Sequence, residues 1–588
     1  MNLRSIVSIK DSLVECLRFI PFVRRYRRAL AMLSFASMIP LCITLLLPMF
    51  MRQGIDKGIM EKDFQLFFMI AITGAVLSGV SLLATQWRQM YQTIVKNKVA
   101  FLLRHKVINC YLQRDISFHI DNDSSQGTNR IMFDTDRISE SLTSIPIEFV
   151  EMLPRMVFSF YFIFILDRTV GLFFIIAAPI IALPIFLTHE KIRSLHTGLW
   201  EYFERILMGV RELFAHVLLI KAFNRERYIK HSIIGDLVTH IRRSIEIARF
   251  EFILMISHNV ITRGLVGVIG IYACVRVIRG DITLGTLSAI LAYAGQIVSL
   301  QSHVSFMLRR LVVTAASCKR VNEIMAHDEH NIVTTEKGVL IDSLLDKTIR
   351  VKHVSFAYRA GKSVLEHIDY SIQPGESLGI VGHSGCGKTT LAYLLLGLLS
   401  PQEGSIMIGD NDLRCLNKKS FYEKAAMVMQ QPLLMNSSIE DNVRFGHLPA
   451  SFSDIEEVCR MSEIHTFITG LKDGYKTMIG EEGVKLSQGQ KQRIALARAL
   501  LKKPEFLIMD EGLSAVDSAT EADIFANVRQ LIPSATIVVI SHRLSAIRHC
   551  EKIMLIVDPR TVETIGAQEL TAASENFKRV FSSQIEFR

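Results

Sequence analysis

The sequence predicts a multidomain chain: an all-α membrane domain of six helices, then an α/β domain built around a phosphate-binding loop. Three observations predict it. Long apolar runs fill residues 29–308, whereas the texture from residue 348 onward is that of an ordinary soluble α/β domain. Between a strand-like and a helix-like run stands Gly382-His383-Ser384-Gly385-Cys386-Gly387-Lys388-Thr389-Thr390, a G-x-x-x-x-G-K-T pattern.

Composition agrees. A chain of 588 residues is too long for one core. Apolar residues make up 49% and charged residues 21%, greasier than a soluble enzyme needs. The net charge of +10 sits largely beside apolar runs, as at Arg24, Arg25, Arg27 and Arg28. That placement suits a membrane surface and disfavours nucleic acid, which wants basic clusters interleaved with aromatics. The nine cysteines are scattered without a C-x-x-C pair, so neither a disulfide framework nor a metal cluster is expected. The N-terminal residues lack a signal-peptide pattern. The expected boundaries are a cytoplasmic segment over 1–28, the membrane domain over 29–317, a linker over 318–347 and the α/β domain over 348–588.

Six stretches near the ~20 residues a bilayer needs lie at 29–51, 65–84, 147–166, 169–188, 252–278 and 283–307. Only Asp167-Arg168 separates the third from the fourth, which predicts a tight hairpin. The long loops, 85–146 and 189–251, are rich in Arg, Lys and His. The positive-inside rule therefore puts them and both termini in the cytoplasm. Their helix-like apolar spacing predicts that the spans continue out of the membrane. Breaks at Asp115-Ile116-Ser117-Phe118-His119 and Phe214-Ala215-His216-Val217 suit short transverse helices.

In the α/β half, Thr348–Val351 and Val354–Phe356 read as strand. Ser377–Val381 is the strand that enters the glycine loop. Its glycines let backbone N–H groups curl around phosphates, Lys388 can reach the β- and γ-phosphates, and Thr389 can hold Mg²⁺. Phe506-Leu507-Ile508-Met509 is an apolar strand ending in Asp510-Glu511. Asp510 suits Mg²⁺ coordination and Glu511 activation of the attacking water.

Leu486-Ser487-Gln488-Gly489-Gln490, followed by Lys491-Gln492-Arg493, resembles the signature of ATP-binding cassette (ABC) proteins. The order of phosphate loop, signature, acidic strand and Ser541-His542-Arg543 resembles that family too. Six spans followed by one such domain resembles the half-transporter layout of its bacterial exporters. The resemblance implies that Tyr358 stacks on adenine and that Gln430 senses Mg²⁺ and the attacking water, with Gln431 next to it. It implies that Ser487 and Gly489 contact the γ-phosphate across a dimer interface. Asp517 falls in the loop linking two ATP sites, and His542 is implied to contact the γ-phosphate. The sequence departs from the usual pattern at Gln488 (Gly), Gly512-Leu513 (Ala-Thr) and Val516 (Leu). None of these removes a catalytic group.

The resemblance implies an ATP-driven exporter or flippase with ATP and Mg²⁺ as cofactors, working by alternating access in a bacterial inner membrane. The intact motifs favour a second identical chain as partner. His258, Asn259 and Arg263 on the fifth span and Gln296 and His303 on the sixth are candidates for a polar cavity, since ionisable groups in a membrane usually face one. That suggests an amphipathic or peptide-like cargo, with a small molecule, a lipid or a peptide all open as the substrate. A siderophore-type importer of exporter shape and one half of a heterodimer stay open.

Overall fold

The computed structural model describes residues 14–114, 116–121, 124–325, 338–358, 363–480, 484–566, 577 and 581. The chain divides into two compact units, Met1–Leu112 with Ser124–His327, and Gln113–Asp123 with Asp328–Arg588.

The first unit is built on six long helices among the described residues: α1 (Arg27–Gln53), α2 (Phe64–Leu112), α3 (Thr135–Leu166), α4 (Arg168–Ala215), α5 (Glu226–Ile278) and α6 (Leu284–Met325). Each expected span lies inside one of them to within a residue, and α2, α4 and α5 run 48 residues or more. At 1.5 Å per residue, such a helix reaches far past a bilayer. Pro40, Pro48 and Pro154 lie inside helices, as membrane helices tolerate.

The hairpin between α3 and α4 turns on one residue. Asp167 is extended, and its carboxylate accepts from the N–H groups of Thr169 and Val170 at 2.9 and 3.1 Å, capping α4. Gly171 lets the helices approach, because a Cβ there would stand 2.8 Å from the Phe164 Cα. On the same pattern, Asp56 follows α1 in a π-helical turn, Gly54–Met60. Its carboxylate accepts from the Thr283 hydroxyl and the Gly285 N–H, fastening this turn to the start of α6.

Small buried polar residues hold α3 to α6. Ser141 and Thr314 hydroxyls meet at 2.6 Å, and Arg310 donates to Ser144 and Glu148 at 2.6 and 2.8 Å. Asp134, 4% exposed, accepts from both Nε and Nη2 of Arg320 and from Ser317. Deeper in the bundle, Tyr293 stacks on Phe162 and donates to the Leu45 carbonyl at 2.6 Å.

The two breaks are short helices, Ile116–Asp121 and Val217–Ala222; Asp115 lies outside the described residues. The first belongs to the second unit, where Ile116 packs on a core cluster. The second belongs to the first unit, and Phe214, Val217, Leu218, Leu219 and Phe223 around it are exposed. The stretch expected as a linker is divided. Residues 318–325 continue α6, 326–337 lie outside the described residues, and residues from Gly338 on pack into the second unit. There the Val339 N–H donates to the Cys415 carbonyl, the Asn417 N–H donates to the Val339 carbonyl, and Leu344 is buried.

The second unit has two main sheets. β1 (Ile349–Phe356) is one strand with a kink at His353, in the left-handed region, where the sequence suggests two runs. It pairs antiparallel with β2 (Leu365–Ile372) and β4 (Glu403–Ile408). The other sheet has order β9-β8-β3-β7-β6-β5, with β3 Ser377–Gly382, β5 Ala425–Val428, β6 Phe506–Asp510, β7 Thr536–Ile540, β8 Lys552–Ile556 and β9 Val562–Gly566. All neighbours are parallel except β8 and β9. The central strands β3, β6 and β7 are buried at every position, which is why they read as unbroken apolar runs. Helices α7 (Lys388–Leu395), α8 (Ile439–Arg444), α9 (Gln488–Leu500) and α10 (Ser518–Leu531) complete the unit around the site.

Candidate functional site

The site forms where β3, β6 and β7 end side by side. In open parallel sheets, ligands bind beyond the carboxyl ends of the strands. β3 runs through a tight loop into α7. Gly382 and Gly387 in that loop have φ of 154° and 100°, and a Cβ at Gly382 would stand 2.5 Å from the Ile556 carbonyl oxygen. A Cβ at Gly387 would press at 3.0 Å on Val364 and Leu365. Both positions demand glycine. Gly387→Ala is expected to distort the loop and weaken ATP affinity by about tenfold or more, the scale of one to a few kcal/mol of strain. Titration with a fluorescent ATP analogue checks this.

His383, Ser384 and Gly385 are exposed at the loop tip, while Thr390 is buried at its base. Lys388 is buried, and its ammonium donates to the carbonyls of Gly382 and His383 at 2.9 Å each, which holds the charge across the loop. Burial pushes the Cys386 thiol up, so it stays neutral under the loop. The half-exposed Tyr358 bonds Thr390 at 3.1 Å and packs edge-on against Phe356. Its ring therefore stands beside the loop, where a base can stack.

Two sequence candidates converge on the carboxylate of a third. Glu511 Oε2 accepts from Gln430 Nε2 at 2.6 Å, and Oε1 lies 3.1 Å from His542 Nε2. It is Gln430, next to Gln431, whose side chain makes this bond. Glu511 itself has φ of +47°, rare for a residue with a side chain. Such a conformation costs on the order of 1–3 kcal/mol and persists where surroundings over-determine it. Burial and the charge of Lys388 push the His542 imidazole below its ordinary range, so it stays neutral near pH 7.

Asp510, 2% exposed, is hydrogen-bonded by Thr389. Burial, with the neighbouring Glu511 charge, raises its carboxyl above the usual range. A buried carboxylate disfavoured as an anion gains from a cation, and a hydroxyl, a carboxylate and an amide oxygen are the hard donors Mg²⁺ takes. Thr389, Asp510 and Gln430 thus fit Mg²⁺.

Ser487 and Gln488 are exposed at the start of α9, where Ser487 and Gln490 form a reciprocal capping box. Gly489 is buried, with the Ala515 carbonyl 2.7 Å from where its Cβ would be. Asp517 caps α10 by accepting from the Thr520 N–H, and that bonding holds its carboxyl below the usual range.

The membrane-domain candidates are not brought together in this way. Gln296 accepts from Ser159 and donates to the Thr44 carbonyl, so both ends of its amide join helices. His303 lies on α6 and bonds the Ser299 carbonyl of its own helix. Asn259 is half-buried and Arg263 exposed on α5, and the His258 side chain lies outside the described residues. Glu148 and Glu151, ionisable residues at the start of the third span, each pair with an arginine of another helix: Arg88 meets Glu151 at 3.3 Å and Arg310 meets Glu148 at 2.8 Å.

Two further buried polar residues organise the ATP site. Asn442 accepts from Met435 N and Arg498 Nη2 and donates to Met435 O, Ser437 and Ser438. Arg498 also donates to the carbonyls of Leu433 and Asn442. Together they fix the segment after Gln430. Asn442→Ala is expected to cost about 3 kcal/mol, because partners are left unpaired in a dry setting. The full-length protein should melt about 5–10 °C lower by differential scanning. The other residue is Gln492, buried on the stripe that Gly489 and Leu496 also occupy at helical spacing.

A glycine loop with a buried lysine, a strand ending in two carboxylates and a histidine against the second of them define an ATP-hydrolysing unit, here fused to a bundle of membrane helices. Residues 30–301 match the family model described as ABC transporter transmembrane region, and residues 365–514 match that of ABC transporter. The chain belongs to the ABC transporter family, as an exporter-type half-transporter with ATPase-coupled transport. It is 26% identical to an ATP-dependent lipid A-core flippase of Legionella pneumophila, over 90% of this chain and 92% of the relative. It is 28% identical to a protein of the same name from Desulfotalea psychrophila, over 95% and 97%. A solved structure of a bacterial Atm1-family ABC exporter with ATP bound shares its fold, with TM-score 0.83, 21% identity and coverage of 95% and 99%.

Proposed function

We propose that two identical chains form an exporter that moves an amphipathic cargo out of, or between the leaflets of, a bacterial inner membrane, with the ATPase units in the cytoplasm. The observation that carries this reading is the convergence of Gln430, Glu511 and His542 beside Lys388. ATP lies with its phosphates in the loop from Gly382 to Thr390 and its base on Tyr358. Thr389, Asp510 and Gln430 would hold Mg²⁺, which would supply positive charge against the phosphates. Glu511 takes the proton of the attacking water, Gln430 orients both, and His542 holds the carboxylate and faces the γ-phosphate.

Exposed Ser487 and Gln488 support a site completed by a second chain. So does the apolar surface of Val217–Ala222 and its flanks, which suits the partner's ATPase unit. ATP favours the closed pair, and that differential affinity shifts the membrane helices between inward- and outward-facing states.

The ion pairs Arg88–Glu151 and Glu148–Arg310 stand at one end of the spans and support a cargo with a polar head. The names of the relatives favour a lipid among amphipaths. In proteoliposomes with outward ATPase units, ATP is expected to draw a head-labelled amphipathic lipid out of reach of a membrane-impermeant quencher. Unchanged quenching with lipids and with amphipathic peptides would overturn the cargo class.

A further inference from the structure

We infer that Gln492 is a positioning residue for ATP hydrolysis, locking the backbone of Glu511 from inside helix α9. The side chain of Gln492 is fully buried. Its amide nitrogen donates to the Glu511 carbonyl at 3.2 Å and to the Ser514 hydroxyl at 3.0 Å. Its amide oxygen accepts from the Ala515 N–H at 2.9 Å. Both of its N–H groups and its oxygen are thus directed at one turn, residues 511–515.

That turn needs holding. Glu511 is in the left-handed region, and its N–H donates to the Ile540 carbonyl at the end of β7. The peptide groups on the two sides of this residue are therefore pinned separately, the N–H by the sheet and the carbonyl by Gln492 together with the Ser514 N–H, which donates to it at 3.0 Å. Gln492 also holds Ser514 and Ala515 in place, so without it the whole turn loosens, and relaxing φ toward an ordinary value would swing the Glu511 carboxylate away from Gln430 and His542. A misplacement of about 1 Å can cost on the order of a hundredfold in rate. Gly489 shows how closely the helix bears on the turn, since its missing Cβ leaves just the space that the Ala515 carbonyl fills. The same helix begins at Ser487, so the residues proposed to face the partner's ATP and the anchor of this chain's own Glu511 form one rigid piece.

The inference rests on the assignment of Glu511 as the group that activates water. Gln492→Glu keeps the shape and the acceptor but sets an oxygen against the Glu511 carbonyl. Gln492→Met keeps the bulk and removes all three hydrogen bonds. In full-length protein in nanodiscs, kcat is expected to fall about 10- to 100-fold in both variants, with the KM for ATP within about twofold. In a Glu511→Gln background, the same replacements should cost less than about twofold more, because the two residues act through one carboxylate. Wild-type kcat in the Met variant, or a full additive loss in the Glu511→Gln background, would overturn the inference. So would loss of ATP affinity in step with kcat, the mark of a merely structural role. Should Glu511→Gln itself turn over at the wild-type rate, the site assignment fails instead.

Discussion

Glu511→Gln is expected to slow ATP turnover about 100- to 1000-fold, the range for removing a general base, with ATP affinity little changed. The substitution is nearly isosteric. The amide oxygen still accepts from Gln430, and the strained backbone keeps its anchors at Ile540 and Gln492. ATP meets the loop, Lys388 and Tyr358, none of which is altered. Only the capacity to take a proton from water is lost. Fitting turnover against ATP concentration separates the effects, because kcat should collapse while KM holds. A fluorescent ATP analogue should bind at near wild-type affinity. Turnover within about threefold of wild type would move the proton acceptor elsewhere.

The parts of this site that were legible in the sequence are those where chemistry forces residue type at fixed spacing. The loop from Gly382 to Thr389 needs glycine where φ is positive and lysine where charge must cross it. The strand before Asp510 is apolar throughout because it is buried on both faces. The six long helices were legible because a bilayer requires length and apolarity together; among the described residues, four of them are long and apolar enough to cross one. What was not legible depends on contacts distant in sequence. Gln492 and Asn442 are ordinary polar residues until the turns at 511–515 and 433–438 fold onto them. A polar residue on the buried stripe of α9 is the one local signal, and it names no partner. Gln296 illustrates the opposite case. A polar residue in a span has the same appearance whether it faces a cavity or joins helices, and here Thr44 and Ser159 claim it. The ends of the expected linker depend on such contacts too, since α6 continues without a breaker past residue 318 and Val339 pairs with Cys415 and Asn417.

A mixture of two inactive variants is expected to regain activity if the ATP sites are shared between chains. Lys388→Ala removes the cation that holds the phosphates. Ser487→Asp keeps the helix cap, because aspartate caps as well as serine, but sets a carboxylate where the partner's γ-phosphate is proposed to lie. Each variant alone should fall to about 1% of wild-type ATPase, because every site in its dimer carries the defect. In a mixed dimer the two defects fall in the same composite site. The intact loop of the Ser487→Asp chain then faces the intact Ser487 of the Lys388→Ala chain, and one site is whole. With equal amounts unfolded to monomers and reassembled, half the dimers are mixed and each has one of two sites. Activity should return to about a quarter of wild type if one site turns over independently, and less if hydrolysis requires both. Two chains each holding a complete site would give no recovery, since neither variant has one. Recovery in the mixture, with each variant inactive alone, thus separates a shared site from a private one without knowledge of the cargo.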